Sequence, residues 1–299
     1  SVEPTVACIV MIFKLKYHWN VTRIKFLMDS FLAVRLRHRD RTAMMAISRQ
    51  RWRQNMTAIY DDPDFFKAYS QMDRSKKGLA GAGEWHELKT VLPDFTGKRV
   101  LDLGCGYGWH CRYAAEHGAK TVLGIDTSAK MLAEAATMTH DQHIVYQQMD
   151  MQDIDQLPGS FDVILSSLAI HYIADYAGLV QKISAKLPLG GQFIMSVEHP
   201  VFTAQGDETW IKDDRGHNLY WPVDRYFAEG QRETEFLDHR IQKYHRTLTT
   251  YLNTLLDHHL RLDRVIEPTP TAAMVRDIPG MADELRRPMM LIVATTKVR

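Results

Sequence analysis

The stretch VLDLGCGYGWH, residues 100–110, most constrains what this chain can fold into. An apolar, β-compatible run that contains one acid is followed by three glycines at alternating positions, and a helical pattern starts at Trp109. Glycines between a strand and a helix let the backbone turn sharply and lie close to a ligand. The stretch therefore predicts a strand, a glycine turn and a helix whose N-terminus forms a site for a nucleotide-like ligand.

From residue 56 onward, strand-like and helix-like segments alternate, which is typical of a mostly parallel sheet with helices on both faces. Strands are predicted at 98–104, 120–126, 143–149, 161–167, 191–197, 260–268 and 288–296. Helices are predicted at 63–77, 83–92, 109–117, 128–139, 175–187 and 246–258. Residues 198–245 break the alternation, are rich in aromatic and turn residues, and are expected to form a lid-like insertion.

The first 55 residues do not share this plan. They carry 11 Lys/Arg against 3 Asp/Glu, whereas residues 56–299 carry 26 against 33. We expect residues 1–55 to be a basic N-terminal extension outside a domain at 56–299, either disordered or non-native. The alternatives are a basic amphipathic appendage, a processed segment, and translated sequence upstream of an internal start at Met56, which we favour.

The cysteine content and the apolar runs indicate the cellular compartment. Three cysteines, at positions 8, 105 and 111, form neither a disulfide framework nor a metal-ligand spacing, as is typical of a reducing compartment. The longest apolar run, residues 6–13, is far shorter than the roughly 20 residues of a membrane span. We therefore expect a cytoplasmic protein with no membrane partner and no metal, and the sequence does not indicate its oligomeric state.

The glycine spacing separates two classes of adenosine ligand. The run Gly104–Gly108 reads G-x-G-x-G, whereas a dinucleotide fingerprint is G-x-G-x-x-G, and Trp109 stands where its third glycine would be. Asp102, just before the turn, would repel a pyrophosphate but can hold an ammonium group. Asp126, which ends the next strand, can accept both hydroxyls of a ribose. A ligand with ribose, adenine and an ammonium group but no phosphate is S-adenosylmethionine.

Four segments in order carry a family resemblance. VLDLGCGYG, GIDTS, QMDMQDI and FDVILSSLAIHYI resemble the successive motifs of class I S-adenosylmethionine-dependent methyltransferases of the bacterial small-molecule type, over about residues 57–296. The resemblance implies a Rossmann-like sheet of seven strands with an antiparallel last strand, and methyl transfer to a small-molecule acceptor by in-line displacement. It implies cofactor contacts at Asp102, Gly104, Cys105, Gly106, Gly108, Asp126, Thr127, Asp150, Met151 and Ser167.

Individual roles follow from the same resemblance. Thr127 would flank the adenine, Asp150 would accept from its amino group, and Met151 would lie beside the ring. Asp150 can alternatively be a loop acid, since Asp153 and Asp155 are close by, and methionines are more often core residues. In the segment before the first strand, candidates to close over the cofactor are Tyr69, Arg74 and Trp85.

Candidates for catalysis and substrate binding come from the later segments. An acceptor atom that carries a proton can need a general base, and histidine has a pKa near neutrality. The candidate bases are His171, His199 and His245, each of which can instead be structural or solvated, with Glu198 as a fourth. The candidate substrate-binding residues are Glu198, Trp221, Tyr226 and Arg246, although the aromatic ones can equally form the insertion's own core.

Three other functions were weighed against methylation of a small molecule. A nucleic-acid methyltransferase would suit the basic extension, but the acidic body opposes phosphate binding, and SSLA stands where base-amino methylation usually shows an Asn/Asp-Pro-Pro-aromatic run. A non-catalytic S-adenosylmethionine-binding protein stays open, because acids that bind a cofactor do not prove turnover. A dehydrogenase that uses NAD is the least expected, because of the glycine spacing.

Overall fold

The computed structural model describes residues 59–299, so the predictions for residues 1–55 lie outside the described residues. The seven strands of the main sheet are those that the sequence predicts, displaced by at most two residues at either end. From residue 63 to residue 148 the elements are α1 (Pro63–Ser70), α2 (Asp73–Lys76), α3 (Trp85–Leu88), β1 (Arg99–Leu103), α4 (Trp109–Glu116), β2 (Thr121–Asp126), α5 (Ala129–Thr137) and β3 (Ile144–Gln148).

The second half of the domain begins with the fourth strand and ends with an antiparallel one. Its elements are β4 (Val163–Ser167), α6 (Tyr176–Lys186), β5 (Gln192–Glu198), α7 (Pro200–Thr203), β6 (Ile211–Lys212), β7 (Asn218–Tyr220), β8 (Gly230–Phe236), β9 (His239–His245), α8 (Leu248–Asp257), β10 (Leu260–Ile266), α9 (Ala272–Asp277) and β11 (Met290–Lys297). Short 3-10 turns lie at Gly78–Gly81, Lys89–Val91, Met151–Gln156, Ile170–Tyr172 and Asp283–Arg286.

Seven strands form one sheet in the order β10-β11-β5-β4-β1-β2-β3. Neighbouring strands from β5 to β3 pair in parallel, and β11 pairs antiparallel with both β5 and β10. The predicted α/β fold with an antiparallel last strand is therefore confirmed. The central strands β1, β4 and β5 are buried almost throughout, as apolar strands covered on both faces must be.

The carboxyl ends of the parallel strands meet at one edge of the sheet, where ligands of such folds bind. Four strands bring their last residues to this edge, namely Leu103, Asp126, Ser167 and Glu198. Ser128 caps α5 by accepting from the Met131 amide (3.1 Å), as its position after β2 predicts. The carboxyl edge is therefore the place to look for the predicted site residues.

Two segments depart from the simplest reading of the sequence. The predicted helix at 63–77 is divided into α1 and α2, because Gln71 ends the first and Met72 is extended. The insertion between β5 and α8 holds α7 and two hairpins, β6–β7 and β8–β9, instead of a structureless loop. A second long connection, residues 267–289 between β10 and β11, carries α9 and passes the same edge of the sheet.

Two kinds of feature are absent from the described part of the chain, namely a membrane-spanning helix and a cluster of metal ligands. Within residues 59–299, none of the helices has the length and apolar character that a bilayer crossing requires. The same residues contain no group of three or more His, Cys, Asp or Glu placed to hold a metal ion.

Candidate functional site

The glycine turn after β1 is built for close approach. The backbone φ of Gly104 is +71° and that of Gly108 is +70°, a region that favours glycine. A Cβ at Gly104 would lie 2.6 Å from the Ala169 Cβ, and one at Gly108 would lie 2.1 Å from the Tyr146 hydroxyl. A Cβ at Gly106 would meet nothing within 4 Å. The turn is thus closed at both ends and open in the middle, where a ligand can lie on the backbone.

Asp126 ties this turn to the end of β2. Its Oδ2 accepts from the Gly106 amide (2.9 Å) and its Oδ1 accepts from the Ser128 amide (2.9 Å). Both Gly104 and Cys105 donate their amides to the Ile125 carbonyl, and the Cys105 side chain is buried. Burial raises the pKa of Asp126. A carboxylate has about four lone-pair sites, so this one retains acceptors for the hydroxyls of a ribose.

Asp102 lies under the turn, with 1% of its surface exposed. The Cys111 thiol donates to its Oδ2 (3.3 Å). Burial raises the pKa of Asp102 to about 7, because no charged partner compensates for the lost solvation. A carboxylate in this environment is stabilised in its ionised form when a cation approaches, which suits the predicted ammonium group.

Residues 59–85 pack over the carboxyl edge as the sequence analysis expects of Tyr69. The Tyr69 ring meets the edge of the Tyr107 ring at 5.8 Å, and burial raises the pKa of Tyr69. Asp61 holds the segment in place, because its Oδ1 accepts from the Ser128 hydroxyl (2.6 Å) and from the Lys130 amide (3.2 Å). The sequence gives no signal for Asp61, since its partners belong to a helix almost 70 residues away.

A second contact joins this segment to the end of β4. The Glu84 carboxylate is 1% exposed, and its Oε1 accepts from both the Arg74 guanidinium (3.1 Å) and the Ser167 hydroxyl (3.1 Å). Its Oε2 is buried and has no hydrogen-bond partner in the described part of the protein. Next to Ser167, Leu168 has a φ of +52°, an uncommon conformation for a branched residue that clusters at functional sites. Sequence analysis named Arg74 but missed Glu84.

The β3 side of the site contains the residues expected near an adenine. Asp150 accepts from the Gln152 amide (2.8 Å) and caps the 3-10 turn at Met151–Gln156. Met151 is 8% exposed, and its Cε lies 3.2 Å from the position that a Gly104 Cβ would take. Gln148 donates to the Thr127 carbonyl (2.9 Å) across the ends of β2 and β3. Asp150, Met151 and Thr127 therefore lie around the same end of the sheet.

His171 is at the carboxyl edge but its environment is that of a structural histidine. The Glu198 amide donates to His171 Nδ1 (3.5 Å), and Nε2 lies 4.0 Å from the Glu198 carboxylate. Burial lowers the pKa of His171 to about 4. The lone pair that a general base would use is directed at a backbone amide, so the structure counts against this role.

The two other candidate histidines are held inside the insertion and its anchor. His199 caps α7 by accepting from the Val201 amide (3.0 Å), and its Nε2 lies 2.9 Å from Glu267. His245 is fully buried, with Nδ1 on the Thr203 hydroxyl (2.8 Å) and Nε2 on the Tyr226 carbonyl (2.8 Å). Hydrogen bonds therefore fix both nitrogens of His245, and His199, which follows the last residue of β5, is held between Val201 and Glu267.

Three of the four candidate substrate-binding residues also form internal structure. Arg246 is buried and donates to the carbonyls of Ile173 and Ala174, where it holds the turn before α6. The Tyr226 hydroxyl accepts from the first amide of α8 (3.1 Å). The Trp221 ring stacks on Phe202 at 5.1 Å and donates to the Val201 carbonyl (3.1 Å). These contacts favour the alternative that the insertion's aromatic residues are its own core.

Glu198 belongs to a buried ion-pair cluster that the sequence analysis missed. Lys243 on β9 is 3% exposed and lies between Glu198 (2.6 Å) and Glu208 (2.8 Å). Burial opposes the charge on Lys243, but the two carboxylates raise its pKa. Burial and the Glu198 charge raise the pKa of Glu208 to about 7. The cluster ties the insertion to the carboxyl end of β5, and the Glu198 Oε2 has no hydrogen-bond partner in the described residues.

The raised pKa of Asp102 leads to a prediction for the pH dependence of folding. The folded state keeps this proton up to about pH 7, whereas an unfolded Asp loses it near pH 3.9, so Asp102 costs stability as the pH rises between these values. Asp102→Asn should remove this loss. The unfolding free energy of the variant should therefore rise relative to that of the wild type by at most about 1.4 kcal/mol per pH unit over that window. Urea unfolding from pH 4 to pH 8 measures the difference.

The matched control for that experiment is the exposed Asp94, whose pKa is lowered by hydrogen bonds from Thr96. Asp94→Asn should therefore show no gain over the wild type as the pH rises. Parallel pH profiles for Asp102→Asn and the wild type would contradict the assigned ionisation of Asp102.

The hydrogen bonds of His245 predict a purely structural effect. His245→Leu leaves the Thr203 hydroxyl and the Tyr226 carbonyl without their buried partner, which should cost roughly 1–3 kcal/mol of unfolding free energy. His217→Leu, at an exposed position, should change it by less than about 0.5 kcal/mol. Chemical denaturation measures both values, and a His245→Leu protein of unchanged stability would contradict the structural assignment.

Comparison with known proteins assigns the family. The model of a family described as a methyltransferase domain matches residues 101–195, from the glycine turn to β5. The structure of a candidate S-adenosylmethionine-dependent methyltransferase from Listeria monocytogenes is 54% identical, with a TM-score of 0.71, and the match covers 74% of this chain and 100% of that one. An S-adenosylmethionine-dependent methyltransferase from Mesorhizobium loti is 43% identical over the same shares, with a TM-score of 0.68.

The chain belongs to the S-adenosylmethionine-dependent methyltransferases. It is therefore an enzyme, its cofactor is S-adenosylmethionine, and the expectations of an NAD-dependent or a non-catalytic protein are set aside. Three features of the site fit that cofactor. The open space over Gly106 and the unused acceptor sites of Asp126 suit its adenosyl portion, and the buried carboxyl of Asp102 suits the ammonium group of its amino-acid portion.

Relatives with assigned substrates match this methyltransferase only in part. Trans-aconitate 2-methyltransferase of Deinococcus radiodurans is 32% identical over 130 residues, which are 41% of this chain and 49% of that enzyme. A tRNA U34 carboxymethyltransferase of Alcanivorax borkumensis is 25% identical over 146 residues, 48% of this chain and 42% of that enzyme. The chain spans about half the length of these relatives or less, and their acceptors differ in class.

Proposed function

We propose that this methyltransferase transfers its methyl group to a small-molecule acceptor bound beyond the carboxyl ends of β4 and β5. The observation that carries the proposal is that residues 59–85 cover the site. Asp61, Tyr69 and Glu84 tie residues 59–85 down over the glycine turn and the end of β4. A covered site suits a compact acceptor, and water exclusion favours transfer from a sulfonium.

The charges near the site support the same choice. Residues 56–299 carry 26 basic and 33 acidic side chains, and Glu84, Glu198 and Glu208 lie buried near the carboxyl edge. A polynucleotide acceptor needs basic groups on the protein, because they bind its phosphates and hold it in a productive orientation. The partial relatives do not decide the class, because trans-aconitate and tRNA both appear in their names.

We assign the cofactor contacts as follows. Asp126 accepts the ribose hydroxyls, Asp150 accepts from the adenine amino group beside Met151, and Asp102 stabilises the ammonium group from beneath the turn. The bound cofactor supplies a methyl group that is already activated, since its leaving group is a neutral thioether. The protein has to align the acceptor with that methyl group, exclude water and receive any proton that the acceptor loses.

Carboxylates replace histidines as the candidate proton acceptors in this proposal. Glu84 and Glu198 each have a buried oxygen without a hydrogen-bond partner in the described residues. His245 has both ring nitrogens engaged, His171 accepts at Nδ1, and His199 Nε2 lies 2.9 Å from Glu267. We also propose residues 56–299 as the methyltransferase domain, with residues 1–55 as an extension of it, and the cytoplasm as its location.

A methyl-release assay tests the acceptor class. The protein is incubated with S-adenosylmethionine and either a metabolite library or bulk bacterial tRNA, and S-adenosylhomocysteine formation is measured. We expect turnover with members of the library and none above background with tRNA. Turnover with tRNA alone would overturn the small-molecule proposal, while leaving the family assignment intact.

A further inference from the structure

One cavity of the described structure lies beside the proposed reaction site, and none of the residues that line it has been assigned a role above. It has a volume of about 380 Å³, within the range of small-molecule sites. Gly83 forms one side, the connection from β10 to β11 contributes residues that include Pro268 and Met274, and Met290 of β11 completes the lining. This connection is distinct from the aromatic insertion that the sequence analysis expects to bind the acceptor.

The position of the cavity follows from strand pairing. Met290 is the first residue of β11 and pairs with Glu198, the last residue of β5, so the cavity begins at the carboxyl edge. Gly83 precedes Glu84, whose carboxylate bonds to Ser167 at the end of β4 (3.1 Å). The cavity therefore adjoins the strand ends at which this methyltransferase is proposed to work.

The lining of the cavity is apolar and adaptable. Four methionines line it, Met274, Met281, Met289 and Met290. Methionine side chains are flexible and polarizable, so they fit flat or irregular apolar ligands. The neighbouring prolines, Pro268, Pro270 and Pro279, restrict the backbone of the same wall. In the aromatic insertion, by contrast, Trp221 already packs against Phe202 (ring centroids 5.1 Å apart) and Arg287 (4.0 Å).

Charge in and near the cavity selects against an acidic ligand. Glu284 is the one charged residue among those that line it, and Arg287 already binds both of its carboxylate oxygens (2.8 and 3.0 Å). Glu84, which follows the lining residue Gly83, pairs with Arg74 through Oε1 (3.1 Å), and its buried Oε2 has no hydrogen-bond partner in the described residues. A buried carboxylate oxygen of this kind requires a hydrogen-bond donor.

We propose that this cavity holds the apolar body of the methyl acceptor, and that the acceptor is an uncharged compound with a hydroxyl or amine group directed to Glu84. The proposal rests on the proposed function, since it names the acceptor class for the same site. An acceptor of this kind buries apolar surface against the methionines and satisfies the Glu84 carboxylate. A carboxylate acceptor would find no free cation among the lining residues.

Binding to the protein saturated with S-adenosylhomocysteine tests the inference. The 15 methionines are labelled with carbon-13 in their methyl groups, and 2-naphthol and 2-naphthoate serve as matched apolar probes. We expect 2-naphthol to shift the signals of the four lining methionines and to leave the core residues Met131 and Met195 in place. The affinity for 2-naphthoate should be at least about tenfold weaker.

Two variants of one position provide the matched control. A Cβ at Gly83 would lie 3.8 Å from the methyl carbons of Met274 and Met290, an ordinary contact distance, so alanine fits the fold. Valine adds two further methyl groups at the same position. Gly83→Val should weaken 2-naphthol binding by about tenfold or more, and Gly83→Ala by less than about threefold. Both should lower turnover of any acceptor found in the methyl-release assay in the same order.

Several results would overturn the inference. They are 2-naphthoate binding as tightly as 2-naphthol, shifts confined to methionines outside the cavity, and equal affinities of the Gly83→Val and Gly83→Ala proteins. The proposed function has its own signal, because S-adenosylhomocysteine should shift the Met151 methyl in every variant. Loss of that shift, or turnover with tRNA alone, would contradict the proposed function and not the apolar character of the cavity.

Discussion

Asp126→Ala is expected to weaken binding of S-adenosylhomocysteine by roughly 1–3 kcal/mol, or about 5- to 150-fold in affinity. The substitution removes the acceptor that we assign to the ribose hydroxyls. It also frees the Gly106 and Ser128 amides, which the carboxylate holds at 2.9 Å, so the glycine turn loses one of its hydrogen bonds to β2. Isothermal titration calorimetry with the folded variant measures the effect.

Asp141 provides the control for this experiment. It also accepts from a backbone amide, that of His143 (2.8 Å), but it lies on the exposed turn before β3. Asp141→Ala should therefore leave the affinity for S-adenosylhomocysteine unchanged. If Asp126→Ala retained wild-type affinity as well, Asp126 would have no part in binding the ribose.

Lys243→Met is expected to have the largest effect on stability, a loss of about 3–5 kcal/mol in the free energy of unfolding. The substitution leaves the Glu198 and Glu208 carboxylates buried together without the ammonium group that lies 2.6 and 2.8 Å from them. The stability of the β8–β9 hairpin on the sheet edge depends on the same contact. Urea unfolding at pH 8, where both carboxylates are driven toward ionisation, measures the loss.

Two further variants separate the buried pair from a general effect of losing a lysine. Lys77→Met removes an exposed pair with Asp73 and should change the unfolding free energy by less than about 0.5 kcal/mol. The triple variant Lys243→Met, Glu198→Gln, Glu208→Gln removes the stranded charges and should regain most of the loss. A Lys243→Met protein within about 1 kcal/mol of the wild type would contradict the account of a buried cluster.

The sheet strands β1, β4, β5 and β11 were predictable because each is a short, largely apolar run that is buried almost throughout. Such runs indicate a strand that is buried on both faces, and this pattern can be recognised within a few consecutive residues. The division of residues 63–77 at Gln71 was missed, since neither Gln71 nor Met72 breaks a helix by itself. The hairpins of the insertion were also missed. The buried positions of β8 and β9 are mostly polar, such as Arg232, Thr234 and Lys243, so the hydropathy of these strands does not alternate.

The candidate site divides in the same way. Residues of the glycine turn and Asp126 are recognisable because backbone geometry requires glycine at fixed positions and an acid at the end of the next strand. The histidines are predicted from residue type alone, which does not reveal whether the ring nitrogens already have partners, as both nitrogens of His245 do. Glu84 carries no local signal, since its environment is made by Arg74 and Ser167.

The amino-acid order alone determined the architecture and the cofactor class of this methyltransferase. Both follow from local patterns: apolar runs that must be buried, and a G-x-G-x-G turn flanked by acids. Only the tertiary structure decided which polar groups are already satisfied and where space remains beside the strand ends. The hydrogen bond from Ser167 to Glu84 joins residues that are distant in sequence, and the cavity is lined by residues as far apart as Gly83 and Met290. No local sequence pattern encodes such pairs.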